Sequence, residues 1–366
     1  MKNKLKKIVI ATGGTGGHVF PAFSLAEHFS EKGINVKITS DKRGLRYLKN
    51  FKDLKIILIN SSSVSKKNIF KFIFAIIVVF FAIVKSLGFL LFNRPNLVFG
   101  MGGYSSFPVC VAAKLLYIPF IIYENNLYIV KANKYLLPFA KKIFVSNKEL
   151  EGVVNKDEEK VCEIGNIVRK EILNFENKIY FNGKDRVLKI LVLGGSQAAK
   201  IFAEELPKIF KECIEAKISL KIYQQCLPEQ TIFLENFYRE SNIDFKIFNF
   251  SNDILDYFSK ANLAITRSGS SILAELINVK LPFISVPLPS SADNHQLKNA
   301  IYYEKNKYSY LVEEKDLKLK LFKLIKKIYE DTSLLDQIIN KQKQFSDKTV
   351  YENIDKQIKK IINEEY

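Results

Sequence analysis

Ten short apolar runs, rich in β-branched and aromatic residues, recur along the chain, and helical stretches separate them. In the first half they occupy residues 5–11, 36–40, 55–59, 97–99 and 120–123; in the second, 187–193, 219–223, 245–248, 263–266 and 283–286. Strands that alternate with helices build parallel sheets covered on both faces. Two such series in 366 residues predict an α/β protein with two doubly wound domains. The polar stretch 174–186 interrupts the rhythm near the join, and the last 35 residues, without glycine or proline, read as Lys/Glu-rich helix.

With 48% apolar and 26% charged residues the chain can fill sizeable cores, which excludes a disordered basic tail. Its net charge of +18 is unevenly placed. Residues 1–160 hold 25 Lys and Arg against 10 Asp and Glu, whereas residues 161–366 hold 31 against 28. The basic half therefore needs an anionic partner: nucleic acid, a membrane surface or a phosphorylated ligand. Cys110, Cys162, Cys213 and Cys226 form no Cys-x-x-Cys pair, so neither a zinc site nor a disulfide framework is expected, and a reducing cytoplasm is the natural compartment. Lys2, Lys4, Lys6 and Lys7 precede an apolar run that breaks at Gly13-Gly14, too short for an export signal, so it reads as a first strand.

Residues 72–84 are thirteen consecutive apolar residues. Three readings follow: a span once the count runs on through Lys85, a helix buried against a sheet, or a helix partly buried and partly dipping into lipid. Flanking Lys66, Lys67, Lys71 and Lys85 favour the last, since lysines snorkel while an apolar face sits among headgroups.

Ligands of open α/β sheets bind where strand ends lead into helix N-termini, and the glycines lie there. Thr12-Gly13-Gly14-Thr15-Gly16-Gly17-His18 follows the first run and precedes a helix containing Pro21. Such a loop lets the backbone approach a phosphate, which the helix start attracts; a tight turn without a ligand is the plainer alternative. It is no dinucleotide fingerprint, because Val19 stands where glycine or alanine is needed, and no Gly-Lys-Ser/Thr makes it a P-loop. His18 meets the positive end of a helix, which favours the neutral ring and makes it a candidate general base; a capping or surface histidine is the structural alternative.

A second loop, Gly100-Met101-Gly102-Gly103-Tyr104-Ser105-Ser106, and a third, Gly194-Gly195-Ser196-Gln197, again follow strands. The stretch Thr266-Arg267-Ser268-Gly269-Ser270-Ser271-Ile272-Leu273-Ala274-Glu275 leads a strand into a helix whose start can take phosphate. Glu275 can accept two hydrogen bonds from a ribose diol. In Asp293-Asn294-His295-Gln296, Gln296 both donates and accepts, which suits sugar hydroxyls.

In this order the stretches resemble the bacterial MurG family, glycosyltransferases that add N-acetylglucosamine to the lipid-linked muramyl-pentapeptide precursor of peptidoglycan. The likeness runs through 13–21, 100–104, 123–126, 165–169, 194–197, 267–275 and 293–300. It implies a GT-B fold of two Rossmann-like domains facing across a cleft. Residues 1–165 would take the acceptor at the membrane and 166–346 the UDP-sugar, with a helix at about 347–366 packing back on the first domain. It implies UDP-N-acetylglucosamine as donor and undecaprenyl-linked lipid I as acceptor, with other cell-wall synthesis proteins as further partners in cell shape and division. Carried over by position, Arg169 and Ser196 contact the donor diphosphate. Ser270, Ser271, Ile272, Leu273, Ala274 and Glu275 cradle phosphate and ribose, Ser251 reads uracil through its backbone, and Gln296 with His295 binds the sugar. Thr15, Gly16, Gly17 and Asn126 reach the donor from the first domain. Gly14, Gly103 and Tyr104 face the acceptor, and His18 and Glu124 are the catalytic pair. Four positions depart from the family pattern: Tyr123 and Asn125, since Tyr123-Glu124-Asn125-Asn126 replaces its usual His-Glu-Gln-Asn, Ala198, which replaces a glycine, and Ile167, which stands where proline is common.

The reaction so implied is an inverting transfer in which UDP leaves with its charge held by helix N-termini and Arg169. No cofactor is expected, and without an Asp-x-Asp motif no essential metal. Another GT-B glycosyltransferase acting on a membrane lipid is the alternative. Two other classes have a foothold. Asp41, at the end of the second run, sits where an oxidoreductase would bind ribose, but Val19 and the repeated loops speak against that. The +18 charge suggests nucleic acid, yet its lysines lack interleaved aromatics or a reading motif, so none is expected. The charge reads better as peripheral attachment to the cytoplasmic face of the plasma (inner) membrane, on anionic lipid.

Overall fold

The structure, a computed structural model, describes residues 5–48, 55–62, 69–175, 181, 187–195, 200–249, 251 and 253–363. The chain forms two compact units, Met1–Arg169 with Asp347–Tyr366, and Lys170–Ser346. The first junction thus falls at 169/170, four residues beyond the 165/166 read from sequence.

In unit 1 the strands are β1 (Lys7–Ala11), β2 (Asn35–Ser40), β3 (Lys55–Leu58), β4 (Leu97–Gly100), β5 (Phe120–Glu124), β6 (Lys142–Val145) and β7 (Val161–Glu163). The helices are α1 (Gly16–Glu31), α2 (Lys42–Leu48), α3 (Ile69–Asn93), α4 (Gly103–Leu115) and α5 (Lys131–Leu136). The sheet is parallel throughout, in the order β3-β2-β1-β4-β5-β6-β7. Ile8, Val9 and Ile10 are wholly buried, as expected of a central strand covered on both faces. A late helix (Val350–Asn363, α14 below) belongs to this unit. It buries Val350, Ile354, Ile358 and Ile361, and its Asp355 accepts from His28 of α1 (3.1 Å).

Unit 2 follows the same plan. It contains α6 (Lys170–Asn174), β8 (Leu188–Leu193), α7 (Lys200–Glu215), β9 (Leu220–Gln225), α8 (Thr231–Glu240), β10 (Asp244–Phe248), α9 (Ile254–Phe258), β11 (Leu263–Thr266), α10 (Ser270–Asn278), β12 (Phe283–Ser285), α11 (His295–Lys305), β13 (Tyr310–Leu311), α12 (Leu317–Glu330) and α13 (Ser333–Gln342). Its parallel sheet runs β10-β9-β8-β11-β12-β13. Both sheets reverse direction beside their first strand, between β1 and β4 and between β8 and β11. Such switch points open a crevice at the strands' carboxyl ends, and the glycine loops lie there.

The helix predicted at 72–84 is α3. It turns Ala75, Ala82, Ser86 and Leu90 inward and packs along α4. Small residues on one narrow face bring the two helices close. Phe70, Phe74, Phe80, Phe81 and Phe92 are each at least 60% exposed, so α3 is not a helix buried against the sheet. By length and composition alone it could cross a membrane.

Candidate active site

At the switch point of unit 1, three loops meet around His18. Its ring lies against Gly102 and Gly103, and Gly102 has φ +86, with His18 Cε1 3.1 Å from where a Cβ would stand. A side chain there would push the ring away. His18 Nδ1 lies 3.0 Å from the Met101 carbonyl oxygen. A carbonyl can only accept, so Nδ1 carries the hydrogen and the lone pair of the neutral ring is on Nε2. Thr12 Oγ1 donates to His18 O (2.8 Å), which fixes the start of α1. Pro21 of α1 has no N–H to offer Gly17 O four residues back, and Asn125 Nδ2 donates to that oxygen instead (3.3 Å).

Asp41 holds the loop from the other side. Its carboxylate accepts from Gly14 N (2.9 Å) and Gly44 N (2.8 Å). Burial alone would raise its pKa, but these two amides, the Ser105 hydroxyl and Arg43 outweigh it and hold the carboxyl below the usual range. Its oxygens are thus occupied by the loop itself, which removes the ribose-binding role an oxidoreductase would need.

Glu124 ends β5 and is 1% exposed. It accepts from Asn126 N (3.1 Å), Asn126 Nδ2 (2.8 Å), Val130 N (3.0 Å) and Asn133 Nδ2 (3.0 Å). Burial pushes its pKa up against the pull of these donors. All four partners are N–H groups, so a protonated Glu124 would turn its O–H toward a donor. The geometry gives it the task of holding Asn126, the loop that runs to Val130 and, through Asn133, α5. Tyr104, at the start of α4, is 37% exposed, and Thr15 and Gly17 are likewise accessible at the start of α1; Gly16 is buried. Arg169 ends unit 1 with its guanidinium 6.0 Å from the centroid of the Phe20 ring.

In unit 2, Ser270, Ser271 and Ile272 open α10 and are half-buried, as is Glu275, while Leu273 and Ala274 are buried. Arg267 just before them does not face a ligand: it is 8% exposed, donates to Val286 O and Pro287 O (both 3.3 Å), pairs with Glu314 and covers the Phe202 ring. Asn299 Nδ2 donates to Ser268 O (3.1 Å), tying α11 to the end of β11. Asp293 and Asn294, both left-handed (φ +52 and +54), turn the chain into α11. Gln296 Oε1 accepts from Leu288 N (3.0 Å), and His295 Nδ1 bonds to Ala292 O (2.7 Å). Ser251 Oγ accepts from Asp253 N (3.2 Å). Ser196 and Ala198 lie outside the described residues.

Known proteins match both units. Residues 8–145 match the glycosyltransferase family 28 N-terminal domain and 189–359 its C-terminal domain. A Pelagibacter ubique protein named UDP-N-acetylglucosamine--N-acetylmuramyl-(pentapeptide) pyrophosphoryl-undecaprenol N-acetylglucosamine transferase is 35% identical over 98% of this chain and 99% of its own. One of the same name from Rickettsia canadensis is 34% identical over 91% and 93%. The chain belongs to the MurG family of family 28 glycosyltransferases. Acinetobacter baumannii MurG shares its GT-B fold, with a TM-score of 0.76 at 23% identity over 97% of this chain and 99% of that one. The Staphylococcus aureus MnaA-UDP structure, at 16% identity and a TM-score of 0.68 over 98% and 97%, shows the fold alone.

Within the MurG pattern, the structure brings His18, Gly103, Asn125 and Asp41 together at the carboxyl ends of four neighbouring strands. Sequence reading gave no role of their own to Asn125, Asn133, Arg267 and Asn299 and gave Asp41 to a rival function. Asn133 lies nine residues beyond Glu124 and Asn299 thirty-one beyond Ser268, and their only signal was polarity within stretches that bury them.

Proposed function

We propose that the chain is an inverting glycosyltransferase that moves N-acetylglucosamine from UDP-N-acetylglucosamine to the 4-hydroxyl of the MurNAc of undecaprenyl-pyrophosphoryl-MurNAc-pentapeptide, turning lipid I into lipid II for peptidoglycan. The near full-length likeness to the Pelagibacter transferase carries this reading. His18 Nε2 takes the proton of the acceptor hydroxyl, whose oxygen attacks the anomeric carbon; the bond from that carbon to the diphosphate breaks and UDP leaves with the electron pair. Arg169 and the start of α10 meet the diphosphate charge, Glu275 the ribose, Gln296 the sugar, and Tyr104 the acceptor. Arg169 and the start of α10 supply positive charge without a metal.

Attachment to the cytoplasmic face of the membrane is part of the proposal. The exposed phenylalanines of α3, with Lys71 and Lys85 on either side of the 72–84 run, fit an interfacial helix on anionic lipid. Lys66 and Lys67 lie outside the described residues.

A transfer assay with radiolabelled UDP-N-acetylglucosamine and a short-chain lipid I analogue tests the reading, with UDP-glucose as control. We expect product with the first donor only, undiminished by excess EDTA, and a loss of about 10²–10⁴ in kcat for His18→Ala. Equal use of UDP-glucose would sink the donor assignment, loss in EDTA the metal-free chemistry, and near-normal kcat in the variant the base.

A further inference from the structure

Residues 164–168, the segment that carries the chain out of unit 1 to Arg169, form a buried turn with almost no regular structure of its own. Ile164, Ile167 and Val168 are at most 4% exposed and Asn166 is 7%. A buried turn must find partners for its amides and carbonyls from side chains, and here four supply them. Asp347 accepts from Asn166 N (2.8 Å) and Asn166 Nδ2 (3.0 Å). Tyr351 of α14 donates to Val168 O (2.7 Å) and Asn353 Nδ2 to Ile164 O (3.2 Å). The fourth is Tyr123, on β5 and 2% exposed, whose hydroxyl oxygen accepts from Ile167 N (3.0 Å). Gly165, at φ +94, lets Asp347 approach: a Cβ there would stand 2.7 Å from its carboxylate oxygen.

Of these four, Tyr123 alone comes from the sheet that also positions His18 and Glu124. Its own carbonyl is held by Asn133 Nδ2 (2.9 Å), which also donates to Glu124. One end of Tyr123 is therefore tied to the loop of Asn126 and the other to the turn that delivers Arg169. Tyr123 and Ile167 are also two of the four positions that depart from the family pattern, and they touch: the amide that a proline would lack is the one whose hydrogen the hydroxyl oxygen accepts.

We propose that Tyr123 is a positioning residue for the UDP-sugar: by accepting the Ile167 N–H it fixes the turn that sets the Arg169 guanidinium for the donor diphosphate. This rests on the assignment of Arg169 given above. Tyr123 touches no substrate in this role and does not enter the bond-making step, so its removal changes donor binding and spares turnover.

Steady-state kinetics with varied UDP-N-acetylglucosamine test it. Tyr123→Phe leaves a buried amide without an acceptor, and the donor KM should rise about 3- to 10-fold with kcat within about twofold. Ile167→Pro removes that amide and locks φ in place of the lost hydrogen bond, so the double variant Tyr123→Phe/Ile167→Pro should return to about the wild-type KM, an outcome that a general loss of folding does not produce. In an Arg169→Ala background, Tyr123→Phe should add nothing to the donor KM. An unchanged donor KM in Tyr123→Phe beside a raised one in Arg169→Ala overturns the proposal, as do a loss in kcat alone and full additivity with Arg169→Ala. An Arg169→Ala chain with normal donor KM overturns instead the assignment on which it rests.

Discussion

At the scale of single residues, the site is built from carboxylates that hold backbone. Asp41 grips the Gly14 and Gly44 amides from a buried position. Its pKa is lowered on folding, so the stability it contributes is fully present above the unfolded value of about 4 and is lost as pH falls through its lower folded value. Asp41→Asn should cost about 1–3 kcal/mol in urea unfolding at pH 7 and shrink the difference from wild type as the pH approaches 3. A constant difference across that range would show that the charge is not what holds the loop. The glycine loops and His18 were legible in the sequence because their chemistry is local. The Asp41–Gly14 bond was not, since it spans 27 residues and depends on β1 and β2 lying in parallel register. The same holds for Tyr123 and Ile167, 44 residues apart.

At the scale of elements, α3 shows how one sequence run divides its labour. Its small residues, spaced to fall on one face, seat it on α4, and its large ones are left outside. Phe74→Glu/Phe81→Glu alters only exposed positions. It should lower recovery with anionic vesicles in flotation at least about tenfold while leaving transfer to a water-soluble acceptor analogue within about twofold, because about 1.5–3 kcal/mol of apolar burial is withdrawn per side chain. Undiminished flotation would remove α3 from the contact. The strands missed in sequence, β6, β7 and β13, are four, three and two residues long. β4 and β12 are as short as β6 and β7 and were legible, so length is not what hid these three; pairing with β5, β6 and β12 makes them strands. The third glycine loop is legible as a motif, and its Gly195 has φ +73.

At the scale of the whole molecule, unit 1 is assembled from two distant stretches of chain. Deleting residues 347–366 removes Asp347, Tyr351 and Asp355 and uncovers the apolar surface that Val350, Ile354, Ile358 and Ile361 bury. The truncated chain should melt at least about 5 °C lower, and trypsin should cut unit 1 before unit 2. A melting temperature equal to that of the full chain would show that the returning helix contributes nothing. The two series of strands made the pair of sheets legible, and the family resemblance supplied the return of the last helix; what could not be read was that this return fastens the turn before Arg169. Synthesis runs in one direction and domains tend to fold as they emerge. Unit 1 therefore waits, with most of its sheet already made, until all of unit 2 has left the ribosome. Only then can Asp347 close over Asn166, so a nascent chain cannot fasten the turn before Arg169 until unit 2 exists.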